Sequence, residues 1–315
     1  MQLNRILVIR GGAIGDFILT LPALRAIREA RPGAHLEILG YKHIAVLAEN
    51  RFYASAIRSI EYGPLSSFFA KNSELSSELK NYFASFDLII SYLYDPDEIF
   101  RNNLSRCGVQ KFVQGPARLD NSEHAAGQLA KPIAKLGIQV EDLAAKIYPS
   151  REDRLAAATF VGDCMLPMVA FHPGSGSEKK NWPLENWIEL GEDLLGGNDP
   201  PRRIVIVSGE ADEESARQLE SRWKSNSRVR FARNLPLLHL AALLENSIFI
   251  GHDSGISHLA AAAGANCILL FGLTDPAVWA PLNQNVRVLR GPNGDLRHLD
   301  VDLVFGALKA QVDGT

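Results

Sequence analysis

Short apolar runs alternate with longer amphipathic segments along almost the whole chain. The first run, R-I-L-V-I-R at residues 5–10, is apolar throughout its centre, as a strand buried on both faces requires. After it come Gly11-Gly12-Ala13-Ile14-Gly15-Asp16 and then F-I-L-T-L-P-A-L-R-A-I-R, in which Leu21, Ala23, Leu24 and Ile27 make one apolar helical face. Pro22 has no N–H to give to Ile18, so this helix either kinks there or begins near Thr20. Further strands are predicted at 35–40, 56–62, 87–92 and 111–114, with helices at 43–49, 74–83, 96–106 and 123–136. Residues 63–72 hold no period and read as an irregular excursion.

The pattern weakens over residues 148–167, an alanine-rich helix with a polar start, and the domain junction is placed there, dividing 1–160 from 161–298. A second alternating series follows. Strands are predicted at 168–172, 204–208, 229–232, 248–250, 267–271 and 286–290, and helices at 184–195, 212–223, 237–245, 256–263 and 301–310. Strands and helices alternating at this spacing make parallel sheets covered on both faces. The expected fold is α/β, two doubly wound Rossmann-like halves facing a central cleft.

Composition narrows the function. A chain of 315 residues, 46% hydrophobic and 22% charged, has enough apolar material for two cores. A net charge of −3 argues against a nucleic-acid partner held by phosphate neutralisation. Cys107, Cys164 and Cys267 stand far apart without metal-ligand spacing, as reduced thiols of a cytosolic protein do. The start, M-Q-L-N-R, lacks the apolar core of a signal peptide, and no apolar run reaches membrane-spanning length.

Three loops after strands carry the candidate chemistry. The run I-F-I-G-H ends in Asp253-Ser254-Gly255 and turns at once into a helix, which aims unpaired N–H groups at the strand's carboxyl end. That suits an anion, normally a phosphate, and the alanines of 260–263 let the helix lie close to the sheet. His258, one turn in, either reaches a phosphate or packs locally.

The second loop is H-P-G-S-G-S-E-K-K-N-W-P (172–183). Its Gly/Ser turn (His172, Gly174, Ser175, Gly176, Ser177) and one ammonium suit a diphosphate. Of its two lysines, Lys180 adjoins the rigid N-W-P segment and is preferred; the bland alternative is a solvated loop.

The third loop is Gly11 to Asp16. Its glycines fall at 11, 12 and 15, so the G-x-G-x-x-G dinucleotide fingerprint is absent, which counts against a nicotinamide-dependent oxidoreductase. Gly12 and Gly15 allow close backbone approach. Asp16 is either a helix cap or a general base. Glu210 stands at the end of another strand, where it takes ribose hydroxyls or begins a helix, and Asn234 with Leu235 ends the next, where they frame a base. Arg10, Arg101, Arg118 and His124 are the acceptor-side candidates of the amino half, surface charge being the default reading of each arginine.

Taken together, R-G-G-A-I-G-D-F-I-L-T-L-P-A-L-R (10–25), H-P-G-S-G-S-E-K-K-N-W-P (172–183) and D-S-G-I-S-H-L-A-A-A-A-G (253–264) resemble glycosyltransferase family 9, the heptosyltransferase-like enzymes of bacterial lipopolysaccharide core assembly. The resemblance implies the GT-B architecture, with a closing helix (299–315) that crosses back to the amino-terminal, acceptor-binding domain. It sets Asp16 at the catalytic base and Lys180 at the donor phosphates. Glu210 falls at the ribose acid, and Asp253, Ser254, Gly255 and His258 in the donor-binding segment. It implies inverting transfer from a nucleotide sugar, typically ADP-heptose, to a glycan or glycolipid acceptor, with no cofactor and no bound metal. A lipid-anchored acceptor would bring the enzyme to the cytoplasmic face of the inner membrane. Gly176 and Asn234 depart from the side chains some heptosyltransferases carry there. Alternatives are a GT-B sugar-nucleotide epimerase or hydrolase and a non-catalytic sugar-nucleotide-binding protein.

Overall fold

The computed structural model describes residues 3–162, 166–197, 200–209 and 212–313, and the chain divides into two compact units, Met1–Leu143 and Ala144–Thr315. Cys164 lies outside the described residues.

The first unit holds β1 (Arg5–Arg10), α1 (Ile14–Ala30), β2 (His35–Gly40), α2 (Lys42–Ala45), β3 (Ala56–Ser59), α3 (Ser77–Ala84), β4 (Leu88–Ser91), α4 (Ile99–Arg106), β5 (Phe112–Gln114) and α5 (Ala125–Ala134). Its sheet runs β3-β2-β1-β4-β5 with every pair parallel. Leu7, Val8 and Ile9 are fully buried, which is why the run carries no alternation. Residues 63–69, expected to be irregular, form a 3₁₀ helix that buries Leu65 and Phe68. The first helix begins at Ile14 and takes Pro22 within it. The alternative start near Thr20 fails because the apolar face already begins at Phe17 and Ile18, both buried.

The second unit holds α6 (Arg151–Val161), β6 (Met168–His172), α7 (Leu184–Gly196), β7 (Arg203–Ser208), α8 (Glu213–Trp223), β8 (Val229–Arg233), α9 (Leu237–Leu244), β9 (Ile248–His252), α10 (Gly255–Ala263), β10 (Asn266–Phe271), α11 (Pro276–Trp279), β11 (Val286–Arg290) and α12 (Val301–Asp313). Its sheet is β11-β10-β9-β6-β7-β8, also parallel in every pair. Both sheets are doubly wound in the Rossmann sense: the strand order reverses between β1 and β4 in one and between β6 and β9 in the other.

The division falls after Leu143, not at residue 160, because α6 packs against α9 and Arg154 forks onto Glu245 at 2.7 and 2.8 Å. Within the second unit the closing helix buries Val304, Ala307 and Leu308 with Ile268 and Leu270 in the core.

Candidate functional site

Ligands of doubly wound sheets bind outside the carboxyl ends of the strands where the order reverses. In the second unit those ends are His172 of β6 and His252 of β9, whose strands pair His172 with Gly251. The 172–183 turn follows one and Asp253-Ser254 the other, so the fold joins two of the three sequence motifs in a single cradle.

Buried histidines and tryptophans fix that cradle. Trp182 is 2% exposed and its Nε1–H donates to the Leu299 carbonyl at 2.9 Å. Its backbone N–H donates to His252 Nε2 at 2.8 Å, which leaves His252 Nδ1–H to donate to the Gly174 carbonyl at 3.3 Å. Both ring nitrogens of His252 are thereby committed in the neutral form, and complete burial lowers its pKa from 6.5 to about 3. Pinned between these bonds, the turn carries Lys180 to Asp253, with Nζ 2.7 Å from Oδ2. Asp253 is nearly buried while Lys180 keeps about a third of its side chain in solvent. The ammonium is therefore oriented yet open to an incoming anion.

Ser254 caps α10, its Oγ accepting from Ser257 N–H at 3.3 Å, and Gly264 in the left-handed region closes that helix. Ala260 and Ala261 are wholly buried, consistent with a helix pressed close to the sheet. The amides at its amino end carry the helix's partial positive charge. Ser175 Oγ donates to Asn181 Oδ1 at 2.6 Å, tying off the turn, and Gly176 has φ +73°, so its backbone favours glycine. Asn234 is likewise a backbone choice: its φ is 48° and its N–H bonds Ser208 O at 3.0 Å. Leu235 beside it is half-buried. His258 is buried within α10, its backbone N–H bonded to Ser254 O at 3.3 Å. Glu210 lies outside the described residues.

The sequence reading missed Asp212. Its Oδ2 stands 3.1 Å from His172 Nε2, both side chains being almost fully buried. Burial raises its pKa, but the His172 hydrogen bond and charge and a Gly209 N–H outweigh that and leave it lowered. A Cβ on Gly174 would meet Asp212 Oδ1 at 1.7 Å, so the glycine of His-Pro-Gly is there to admit the carboxylate that pairs with His172. Nothing in the local spacing could reveal that pairing. Also unforeseen is a groove of about 570 Å³ walled by Glu178, Lys179, Asn181, Leu273 and the 293–297 segment, where Arg297 grips Asp295.

In the first unit the strand ends at the reversal are Arg10 and Ser91. Asp16 Oδ2 accepts from the Ala13 N–H at 3.1 Å, so the capping role exists, and its Oδ1 lies 3.5 Å from Arg10 Nη2. The carboxylate remains 38% exposed, so capping leaves it accessible. Arg10 is 7% exposed, donating to Thr20 Oγ1 at 3.1 Å and to Asp16 O at 3.1 Å, with its guanidinium over the Tyr92 ring. Burial lowers its pKa, opposed by Asp16 and Tyr92. Gly12 has φ +95° and a Cβ there would press Asp16 Oδ2 at 2.8 Å, whereas Gly15 sits in the first turn of α1.

The other acceptor-side candidates have structural partners. Arg101 is half-exposed, pairs with Glu98 at 2.6 Å and lies over Phe112. Arg118 lies over the exposed Tyr94 ring at 4.4 Å. His124 Nδ1 accepts from Ala126 N–H at 3.2 Å, capping α5. Arg10, Gly12 and Asp16 thus gather at the end of β1, with Gly15 in the first turn of the helix that follows.

The two doubly wound parallel sheets define a GT-B fold. The sequence pattern of glycosyltransferase family 9 (heptosyltransferase) matches residues 125–303, more than half of the chain, and the chain belongs to that family. Lipopolysaccharide heptosyltransferase 1 of Salmonella typhimurium is 31% identical over 144 residues, 45% of this chain and 44% of that protein. The aligned stretch therefore spans less than half of that relative. Among solved structures, a glycosyl transferase family 9 protein from Veillonella parvula superposes with a TM-score of 0.79 at 19% identity, over 100% of this chain and 99% of that one. The E. coli heptosyltransferase WaaC with ADP gives a TM-score of 0.71 at 20% identity, covering 97% and 99%. At such identities these two likenesses establish the fold.

Proposed function

We propose that this protein is an inverting heptosyltransferase that moves a sugar from ADP-heptose to a hydroxyl of a lipopolysaccharide-core or related glycan. The observation that carries the reading is the cradle at the second sheet's reversal, where an oriented ammonium and a capped helix terminus converge. Family membership and the ADP held by the structurally similar E. coli enzyme support the choice of donor.

In this mechanism Asp16 takes the proton of the acceptor hydroxyl as its oxygen attacks the anomeric carbon in a single displacement. The departing diphosphate gathers negative charge, which Lys180, the Ser175 turn and the amino end of α10 stabilise. No metal ion or cofactor is invoked. Among the described residues no group of three His, Cys, Asp or Glu side chains gathers that could hold an ion, and the ammonium and amides supply the positive charge. Among the same residues no helix is long and apolar enough to cross a membrane. We place the reaction in the cytoplasm, with peripheral contact at the inner membrane through a lipid-anchored acceptor.

A thermal-shift panel of nucleoside diphosphates and nucleotide sugars tests the donor. ADP and ADP-heptose at a hundred times Kd should stabilise by about 2.7 kcal/mol, and the uridine and guanosine counterparts far less. Stabilisation by another nucleotide and not by ADP would overturn the donor assignment. Donor consumed with no glycosylated product would point to an epimerase or hydrolase.

A further inference from the structure

The groove of about 570 Å³ beside the 178–181 turn has no part in the mechanism above, although its size is that of a small-molecule site. Leu273 follows β10 and the 293–297 segment follows β11, so the groove lies, like the cradle, at the carboxyl ends of the second sheet. Close packing fixes its walls. A Cβ on Gly272 would stand 3.1 Å from the Gly294 carbonyl oxygen, and one on Gly291 would stand 2.5 Å from that of Asp295. Leu296 and Leu299 are buried in the core of the second unit, and the Leu299 carbonyl accepts the Trp182 Nε1–H. Trp182 thus ties the wall at 178–181 to the wall at 293–297.

Charge limits the occupant. Glu178 and Asp295 stand against Lys179 and Arg297, so the four formal charges of the lining cancel. A further phosphate finds no net attraction there, whereas carboxylates, an amide and an ammonium all bind hydroxyl groups. Leu273, 66% exposed, offers an apolar surface to the C–H face of a ring. That combination fits a neutral, polyhydroxylated ring, which is a sugar.

Position selects which sugar. Lys180 turns to Asp253 in the cradle, while Lys179 and Asn181 on either side of it line the groove. Neighbouring Cα atoms lie ~3.8 Å apart, so about the width of one residue separates cradle from groove. In the order β11-β10-β9-β6-β7-β8 the groove lies on the β10–β11 flank of the reversal, and the residues expected to take the nucleoside follow β7 and β8 on the other flank. A diphosphate bound at the reversal, with its nucleoside over β7 and β8, directs its sugar to the groove. We infer that this groove is the subsite for the sugar of the donor, with Lys179 and Leu273 among the residues that select it.

The inference rests on the donor-binding reading above, and a pair of titrations separates the two. ADP and ADP-heptose are titrated separately into the full chain and into Leu273→Trp, whose indole fills the groove. ADP should bind both proteins alike, whereas ADP-heptose should bind the variant at least about 10-fold more weakly than wild type. Equal losses for the two ligands, or no loss for either, overturn the inference alone. Wild type that binds neither ligand overturns the functional reading and this inference with it; wild type that binds ADP but not ADP-heptose overturns the donor assignment and the inference together. Amine labelling of the wild-type chain, read residue by residue, decides the matter should the variant fail to fold. ADP should shield Lys180 alone and ADP-heptose both Lys180 and Lys179; equal labelling of Lys179 under the two ligands overturns the inference.

Discussion

Gly174→Ala is the sharpest test of how the donor cradle is built. The added methyl would lie 1.7 Å from Asp212 Oδ1, 1.9 Å from its Cγ and 2.6 Å from its Cβ. Asp212 cannot swing aside cheaply, because its carboxylate is almost buried and bonded to His172 at 3.1 Å. Shifting the backbone to make room costs about 1–3 kcal/mol, as overpacking does. Expelling the carboxylate and leaving His172 without its partner costs about 3–5 kcal/mol. The cheaper route governs, so the second unit should lose about 1–3 kcal/mol, or roughly 3–10 °C in Tm for a unit of this size. ADP affinity should fall as well, since the 174–181 turn moves with Gly174. Differential scanning calorimetry and an ADP titration measure both. Asp212→Gly removes all three contacting atoms, so adding Gly174→Ala to it should cost little further, a coupling that a double-mutant cycle reads directly. A Gly174→Ala protein with the wild-type Tm and wild-type ADP affinity would refute the packing argument.

Asp16→Asn keeps an oxygen for the Ala13 N–H, so Tm should stay close to wild type and ADP affinity unchanged, while kcat for transfer drops by about 10²–10⁴; undiminished transfer would exclude Asp16 as base. Lys180→Ala deprives nearly buried Asp253 of its cation and the diphosphate of its ammonium, and ADP should bind about 10- to 100-fold more weakly by titration. His252 has a folded pKa of about 3, below its unfolded value, so the unfolded chain binds the extra proton as pH falls below ~6.5. Its stabilising contribution is therefore complete above that pH and is lost towards pH 3, at up to about 1.4 kcal/mol per pH unit. Urea unfolding between about pH 6.5 and 5, where most carboxylates are still ionised, should show this slope in wild type and a flatter one in His252→Gln.

The periodicity of the chain settled the α/β class and nearly every strand, because a strand buried on both faces leaves a short apolar run, rich in β-branched residues and bounded by turn residues. Val286–Arg290 and Met168–His172 lie where that pattern set them. It also gave the loops after β1, β6 and β9 as the chemical ones, since glycine, serine and a charged residue gather there just past each run. Boundaries were less legible. The first helix runs through Pro22, and α6 joins the second unit, because tertiary burial of Phe17 and the docking of α6 on α9 outweigh local propensity and the appearance of a linker.

The residue types of the site could thus be read directly, but the partnerships could not. Why residue 174 must be glycine depends on Asp212, why Lys180 is held still depends on Asp253, and His252 stays neutral because folding buries it completely, with a Trp182 amide and a Gly174 carbonyl on its two nitrogens. Each of these is a contact between segments far apart in the chain, created only when parallel strands set their carboxyl ends side by side. Local sequence encodes backbone preference and hydrophobic period; which polar groups meet in a buried space, and so which of them titrate or stay neutral, is decided by the folded geometry alone.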